Sequence, residues 1–302
     1  MSNLPAGSSS PTAEPTAHHY EQKNQKKSSP MRDSASRIKA IAQTHILDAL
    51  ITEEASEKSV FERAILRDKQ RKEQRQKNLE HIVKLALQAC NSEVASEPDF
   101  DWLLRFFDMA QDIHNTSMQK LWAQVLKREV TNPGSTSMKA LKTLKDMTPK
   151  EAQTLQRAAS LACSFGADSS RKLLLGIKHH AGLFSFSKRD SFDELSLGEF
   201  NLPYSSLLLL IELGILLGTE LESGEIAQEP ALNLNYQGSE FQLQSKLKGI
   251  RLTYYRFTPT GNELCQLLGH RGNMQYQEKL VNLLNRKFTV AGEAATSFHH
   301  KV

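Results

Sequence analysis

The side chains whose type and spacing could do chemistry in this chain are chiefly cationic. The run RDKQRKEQRQK, residues 67–77, carries Arg67, Lys69, Arg71, Lys72, Arg75 and Lys77 against Asp68 and Glu73. Wound as a helix, a surplus of that size can track the phosphates of a nucleic acid and release their counterions. A second group, Lys139, Lys142, Lys145 and Lys150 with Lys127 and Arg128, flanks the Asn-Pro-Gly-Ser turn at 132–135. The first N–H groups of a helix that follows such a turn attract anions. Arg67, Lys69, Arg71, Lys72, Arg75, Lys139 and Lys142 are therefore the nucleic-acid-binding candidates. A plainer expectation stands beside this one. No aromatic residue interleaves the charges of 67–77, so bases have nothing to stack on. A Gln-rich helix without apolar residues also serves as a solvated spacer. Lysines on the outer faces of a helical hairpin likewise keep it soluble.

Other chemistry has weaker footing. The sequence contains no Gly-rich phosphate loop, no G-x-S-x-G and no H-E-x-x-H. His179 and His180 are adjacent, which turns their rings about 100° apart on a helix and to opposite faces on a strand. They make a poor metal clamp, and His18-His19 lies in a stretch of biased composition. Asp99, Asp101, Asp108 and Asp112 gather at the start of a helical block, with Asp108 and Asp112 spaced to share one solvent face. Two carboxylates at that spacing can hold a metal, but acids opposite an apolar stripe more often only meet water. The expectation is a non-enzymatic chain with no catalytic residue, no metal and no cofactor.

Composition bounds what these residues can belong to. At 302 residues there is room for one large or two ordinary domains with tails. Hydrophobic residues make up 39% and charged residues 24%, enough for a core but less apolar than an average globular chain. The formal charge of +4 is too small to imply nucleic acid by itself. Residues 1–95 hold 15 basic and 12 acidic side chains, 96–165 hold 9 and 8, and 166–302 hold 14 of each. The C-terminal region is thus neutral. Cys90, Cys163 and Cys265 lie far apart with no C-x-x-C, so free, buried thiols in a reducing compartment are expected. MSNLPAGSSSPT is too polar for a secretory signal. The most apolar run, LLLLIELGILLG at 207–218, is interrupted by Glu212. It is also about half the ~20 residues that a membrane span needs. A soluble, cytoplasmic protein with protein partners and no membrane partner is expected.

The elements that must position these residues are mostly helical. Residues 1–35, rich in Ser, Pro, Ala, Gln and Lys, cannot bury enough surface to offset their ordering entropy and are expected to be a disordered tail. Residues 36–95 form a long helical segment with a charged middle. Ile38, Ile41, His45, Ile46 and Leu50 fall near one stripe, and Val60, Phe61, Ala64 and Ile65 open a helix that crosses the basic run. A helical core domain follows at 96–165. Its stripes include Trp102, Phe106 and Phe107, then Leu121, Trp122 and Leu126, which are the expected structural core. Met138, Leu141, Leu144 and Met147 make a third stripe. Thr148, Pro149 and Glu151 then supply a capping box with the favoured first-turn proline. Four helices joined by short turns make a compact bundle.

Residues 166–288 change in texture. SRKLLLGIKHHAGLFSF is ambiguous between helix and strand, and YSSLLLLIELG is a short helix ended by Gly214. ALNLNYQ, SEFQLQSK and GIRLTYYRFTP are short strands around turns. FTPTGNELCQLL returns to helix with Thr260 and Glu263 as a second capping box, another helix covers about 274–287, and 289–302 is a flexible tail. The order of helix, strands and T-P-T-G-N-E-L resembles a winged-helix domain over about 200–270. That resemblance implies a strand pair acting as a wing. The departures are that the 204–213 helix is apolar nearly all round and that Glu220, Glu222, Glu225 and Glu229 sit near the wing. A DNA-reading helix presents Arg, Lys, Asn or Gln to base edges instead, so a partner-binding surface is the better expectation. The fold class expected is mainly α: a helical bundle followed by a small α+β winged-helix-like module, behind a disordered N-terminal tail.

The segments DWLLRFFDMAQDI (101–113), MQKLWAQVLKRE (118–129), PGSTS (133–137) and LKTLKDMTPKEA (141–152) resemble a family of bacterial proteins of unknown function. The likeness extends more loosely to LIELGI and LTYYRFTPTGNEL. It implies no activity and no catalytic residues, although related domains occur in prophage or defence-like settings. Three expectations follow: an interaction or regulatory protein without enzymatic activity first, a nucleic-acid binder second, and a stress or phage-defence effector third.

Overall fold

The computed structural model describes residues 33–51, 58–180, 190–269 and 271–292. His18-His19 and all but the last residues of the expected tail lie outside them. The chain divides into two compact units, Met1–Lys69 and Gln70–Val302.

In the first unit, α1 (Ser34–Thr44) is capped by Asp33, whose carboxylate accepts hydrogen bonds from the Ser36 N–H at 2.9 Å and the Ser36 hydroxyl at 2.7 Å. Those two donors hold the Asp33 carboxyl below its ordinary pKa. The start of α2 (Val60–Ala89) carries a reciprocal cap: Ser59 N–H donates to Glu62 Oε2, and Glu62 N–H donates to Ser59 Oγ. No described residue of 33–69 is buried.

The helical part of the second unit follows the apolar periodicity closely. Residues Asn78, Ile82 and Ala86, four apart, form the buried stripe of α2. Then come α3 (Phe100–Ala110), α4 (Thr116–Thr131), α5 (Met138–Asp146) and α6 (Pro149–Leu161). The caps are Asp99, Asn115, Ser137 and Thr148, and the Thr148–Glu151 capping box is complete. Trp102, Phe106 and Trp122 are buried with ring centroids 5.3 Å apart in sequence along the row, while Phe107, Leu121 and Leu126 are half-buried against the same core. Aromatic offsets of this kind add to the area they bury.

Beyond α6 the fold departs from expectation. The strands β1 (Cys163–Phe165), β2 (Lys172–His179), β3 (Ser191–Glu194), β4 (Leu221–Glu222), β5 (Leu232–Tyr236), β6 (Ser239–Ser245), β7 (Ile250–Arg256) and β8 (Phe288–Gly292) form one sheet. Its order is β4-β7-β2-β1-β5-β6-β8, with β3 also paired to β2, and every pairing is antiparallel. A short 3-10 helix (Leu197–Phe200) and the helices α7 (Tyr204–Glu212), α8 (Pro259–Leu267) and α9 (Met274–Asn285) complete the fold among the described residues. The mainly α, winged-helix-like expectation is therefore corrected. Among the described residues 51% are helix and 18% strand, a mixed α/β fold around an eight-stranded antiparallel sheet.

Two physical reasons account for the difference. Strand β2 is buried along almost its whole length, so KLLLGIKH lacks the alternation that marks a one-faced strand. The strands taken for a small wing pair with β1, β2 and β8, partners far away in sequence. Thr289–Gly292, expected in a flexible tail, lies in β8 against β6. Helix α8 is capped by Thr258, whose Oγ1 accepts from the Gly261 N–H, so Thr260 and Glu263 do not form the expected capping box.

Candidate functional site

The basic run is helical, as its composition requires, but four of its six cations, Lys69, Arg71, Lys72 and Arg75, have partners within the protein. Arg75 makes a two-pronged bridge to Asp112, with Nε 2.7 Å from Oδ1 and a terminal nitrogen 3.2 Å from Oδ2. Such fork geometry favours arginine over lysine. Lys69, Arg71 and Lys72 have partners as well. Next to the Arg75 bridge lies a polar seam that sequence reasoning missed. Asn78 donates to the Gln111 carbonyl at 2.8 Å and accepts from Gln74 at 3.0 Å and Gln119 at 3.4 Å. Gln119 also donates to the Ile113 carbonyl at 2.9 Å. Its Oε1 therefore accepts from His81 Nδ1 at 2.6 Å, which puts a proton on that ring nitrogen. Asn78 and Gln119 are both buried. A run of Gln and Asn four apart on a helix with an apolar partner face was the available signal.

The lysines that flank the Asn-Pro-Gly-Ser turn are arranged differently. Lys142 and Lys145 of α5 face Arg105 and Asp108 of α3 across an open cleft of about 510 Å³, floored by Met109 and Met138. Lys139 is exposed and does not line it. Among the described residues Arg105, Lys142 and Lys145 form no ion pair within 4.0 Å. Of the seven cationic candidates, Lys142 alone lies in this cleft.

The acids disperse. Asp99 caps α3 by accepting from the Trp102 N–H at 2.8 Å, Asp108 lines the cleft, and Asp112 holds Arg75. His179 is buried in β2 while His180 is exposed, 3.5 Å from Asp190. Among the described residues no three His, Cys, Asp or Glu side chains gather as a metal site. The thiols also divide: Cys163 and Cys265 are buried, but Cys90 is exposed, against the expectation for all three.

The fingerprint segments converge on the turn between α4 and α5. Trp102 Nε1–H donates to the Thr136 carbonyl at 2.8 Å. The buried Glu129 accepts from the Gly134 N–H at 2.6 Å. Ser137 caps α5 through the Ala140 N–H, and its own N–H donates to Glu263 of α8 at 2.8 Å. Residues from four separate stretches of sequence thus hold six residues of loop. Gly134 supplies the positive φ of 76° that the corner needs. Glu129 Oε2, Ser135 Oγ and Thr136 Oγ1 are buried there without a protein hydrogen-bond partner.

The comparisons fit this convergence. The family described as "Protein of unknown function (DUF2806)" matches residues 62–281, nearly three quarters of the chain. The chain belongs to that family. No curated protein and no solved structure matches it. The family segment contains the α4–α5 turn with all its partners, the α3–α5 cleft and seven of the eight strands, and it leaves out α1. No helix among the described residues is long and apolar enough to cross a membrane.

One surface feature remains. The first unit exposes Ile38, Ile41, Leu47, Leu50, Ile51, Val60, Phe61 and Ile65, with Leu50 97% and Phe61 73% accessible. Ile38, Ile41, Leu50, Val60, Phe61 and Ile65 among them belong to the apolar periodicity that marked 36–95 as helical.

Proposed function

We propose that this is a non-enzymatic interaction protein whose N-terminal helices associate with the same helices of a second copy. The observation that supports it is the unburied apolar surface of α1, of the turn after it and of the start of α2. Eight large apolar side chains are exposed over 33–69, and none of the described residues there is buried. Burying such side chains is worth roughly 1.5–3 kcal/mol each, or about 60–120 Å² apiece at about 25 cal/mol per Å². Eight of them cover at most about 500–1,000 Å², which brackets the ~800 Å² that each partner contributes to a standard interface. Charge favours a second copy as occupant. Residues 33–69 hold six basic and seven acidic side chains, so two such segments meet with almost no net repulsion.

Sedimentation equilibrium of the full chain tests this. The wild type is expected to shift from monomer toward dimer as concentration rises, and Phe61→Asp with Ile65→Asp to remain monomeric with an unchanged melting curve. A wild type that stays monomeric at its highest soluble concentration overturns the proposal.

A second reading rests on the α3–α5 cleft, where Arg105, Lys142 and Lys145 outnumber Asp108 and Asp146 and, among the described residues, form no ion pair within 4.0 Å. It makes the cleft a contact for nucleic-acid phosphates. A gel shift at low salt, weakened by raising salt and by Lys142→Glu with Lys145→Glu, is its expected result. Absence of any shift at low salt removes it.

A further inference from the structure

A second cavity, of about 360 Å³, opens where the end of α6, the β1–β2 loop, the β5–β6 turn and α8 meet. Its volume falls at the lower end of small-ligand sites. Its walls are mostly polar, with Ser164, Ser169, Arg171, Gln237, Asn262 and Gln266 among them.

The charge in this cavity is unusual in having no counterpart. Arg171 is half-buried, and its backbone N–H is fixed to Asn262 Oδ1 at 2.8 Å, so the side chain starts from an anchored position. Among the described residues its guanidinium makes no hydrogen bond and no ion pair. Arg128 of α4, also half-buried, does not itself line the cavity but donates to Gln266 Oε1, which belongs to a wall residue. Its Nε is buried without an acceptor. Burial pushes the Arg128 pKa down, Glu263 and Glu129 push it back up, and Arg171 lowers it further by direct repulsion. Neither acid relieves the pair at close range. Glu263 holds the Ser137 N–H and Glu129 the Gly134 N–H, and among the described residues neither lies within 4.0 Å of a guanidinium as an ion pair.

The one carboxylate on the cavity wall is already neutralised. Asp168 lies 3.1 Å from Arg256 and 3.6 Å from Lys172. Hydrogen bonds from the Ser170 hydroxyl and N–H hold its pKa at about 2, so it stays ionised and paired. On the opposite wall Gln237 turns the β5–β6 hairpin at a positive φ of 52°. Its Nε2 donates to the carbonyls of Ala159 and Ala162 at the end of α6, which leaves Oε1 buried with no donor. Positive φ at a glutamine is costly enough to need a reason, and the α6 carbonyls supply it. The orphaned Oε1 has no such structural account.

An arginine without an acid partner in a polar cavity, with the Arg128 guanidinium near enough to repel it, defines a complementary ligand: an anion flanked by hydroxyl groups. Planar guanidinium forks match phosphate oxygens best. We infer that this cavity binds a small phosphate monoester bearing hydroxyl groups, with Arg171 on the phosphate and the Ser, Asn and Gln side chains of the wall on the hydroxyls. A polar wall without ligand would instead place acids beside its arginines, as the Asp168–Arg256 pair does nearby.

Isothermal titration of the full chain with ribose 5-phosphate, inorganic phosphate and ribose tests the assignment. Ribose 5-phosphate is expected to saturate the protein, inorganic phosphate to bind more weakly, and ribose not to bind. Arg171→Met is expected to weaken ribose 5-phosphate by about tenfold to a hundredfold, the loss of one charge-assisted contact. Because Arg171 has no protein partner, its melting temperature should be unchanged or higher, which separates lost binding from lost folding. The inference is overturned if ribose 5-phosphate does not saturate, if ribose binds equally well, or if Arg171→Met leaves the affinity unchanged.

Discussion

Glu129 sits near the end of α4 with almost none of its surface in water, and its carboxylate has one visible task, the Gly134 N–H at 2.6 Å. Removing it strands that donor inside the corner between α4 and α5. Glu129→Ala is therefore expected to destabilise the protein by about 1–3 kcal/mol, the usual cost of an unpaired buried polar group. Urea unfolding measures it, and a change within error would show that the turn does not depend on the carboxylate. The same logic applies to Gln119, which serves His81, Asn78 and the Ile113 carbonyl at once. Neither role was legible in the sequence. A capping box can be found there because Thr148 and Glu151 answer each other within one turn, whereas Glu263 reaches Ser137 across 126 positions. For the same reason Arg171 looked like any other loop arginine. Its meaning depends on what does not stand beside it, and only packing decides that.

At the scale of elements, the helices from α2 to α6 were legible and the sheet was not. Each helix shows a 3.6-residue stripe, and each of its boundaries is set by residues within a turn of it. Strands β5 and β6 alternate cleanly and could be found. Strand β2 is covered on both faces and paired on both edges by β7, β1 and β3, so its sequence reads the same as a buried helix. Gly176 marks the place where this crowding is greatest. A Cβ there would lie 2.4 Å from the Asp193 carbonyl oxygen and 2.6 Å from the Phe192 ring, at the irregularity where β2 changes register against β7. Gly134 differs, because its Cβ would meet nothing within 4 Å. Gly134→Ala is expected to cost about 1–2 kcal/mol, the penalty of the left-handed backbone alone. Gly176→Ala adds overpacking against fixed backbone, itself about 1–3 kcal/mol, and should also broaden the amide spectra of β2 and β3. Equal losses at the two glycines would contradict this account of the sheet.

At the scale of the whole molecule, every buried large apolar residue among the described residues lies between Ile82 and Phe288, inside the second unit. Removing residues 1–69 therefore takes away no described core residue. The truncated chain is expected to melt within a few degrees of the full one, a shift that corresponds to about 1 kcal/mol or less, and to lose self-association. A collapse of its melting transition would mean that the first unit supports the fold. The core also sets how stability responds to alkali. Burial raises the thiols of Cys163 and Cys265 from 9.0 to about 12, and the Tyr236 hydroxyl from 10.0 to about 12. Tyr276 is raised by burial in the same direction. In each case the folded pKa exceeds the unfolded one, so the contribution is whole below the unfolded value and is lost as pH rises toward the folded value. Lys172 has the opposite sign, since burial lowers its pKa and stability from that group grows as it deprotonates. Four groups outweigh one. The urea midpoint is expected to fall steadily between pH 9 and 12, each raised group contributing about 1.4 kcal/mol per pH unit within its own window. Cys163→Ala with Cys265→Ala lowers the starting stability by opening small cavities, but it removes two of the four titrations and should flatten the slope. A slope as steep in that variant as in the wild type would show that the thiols are already ionisable in the folded protein.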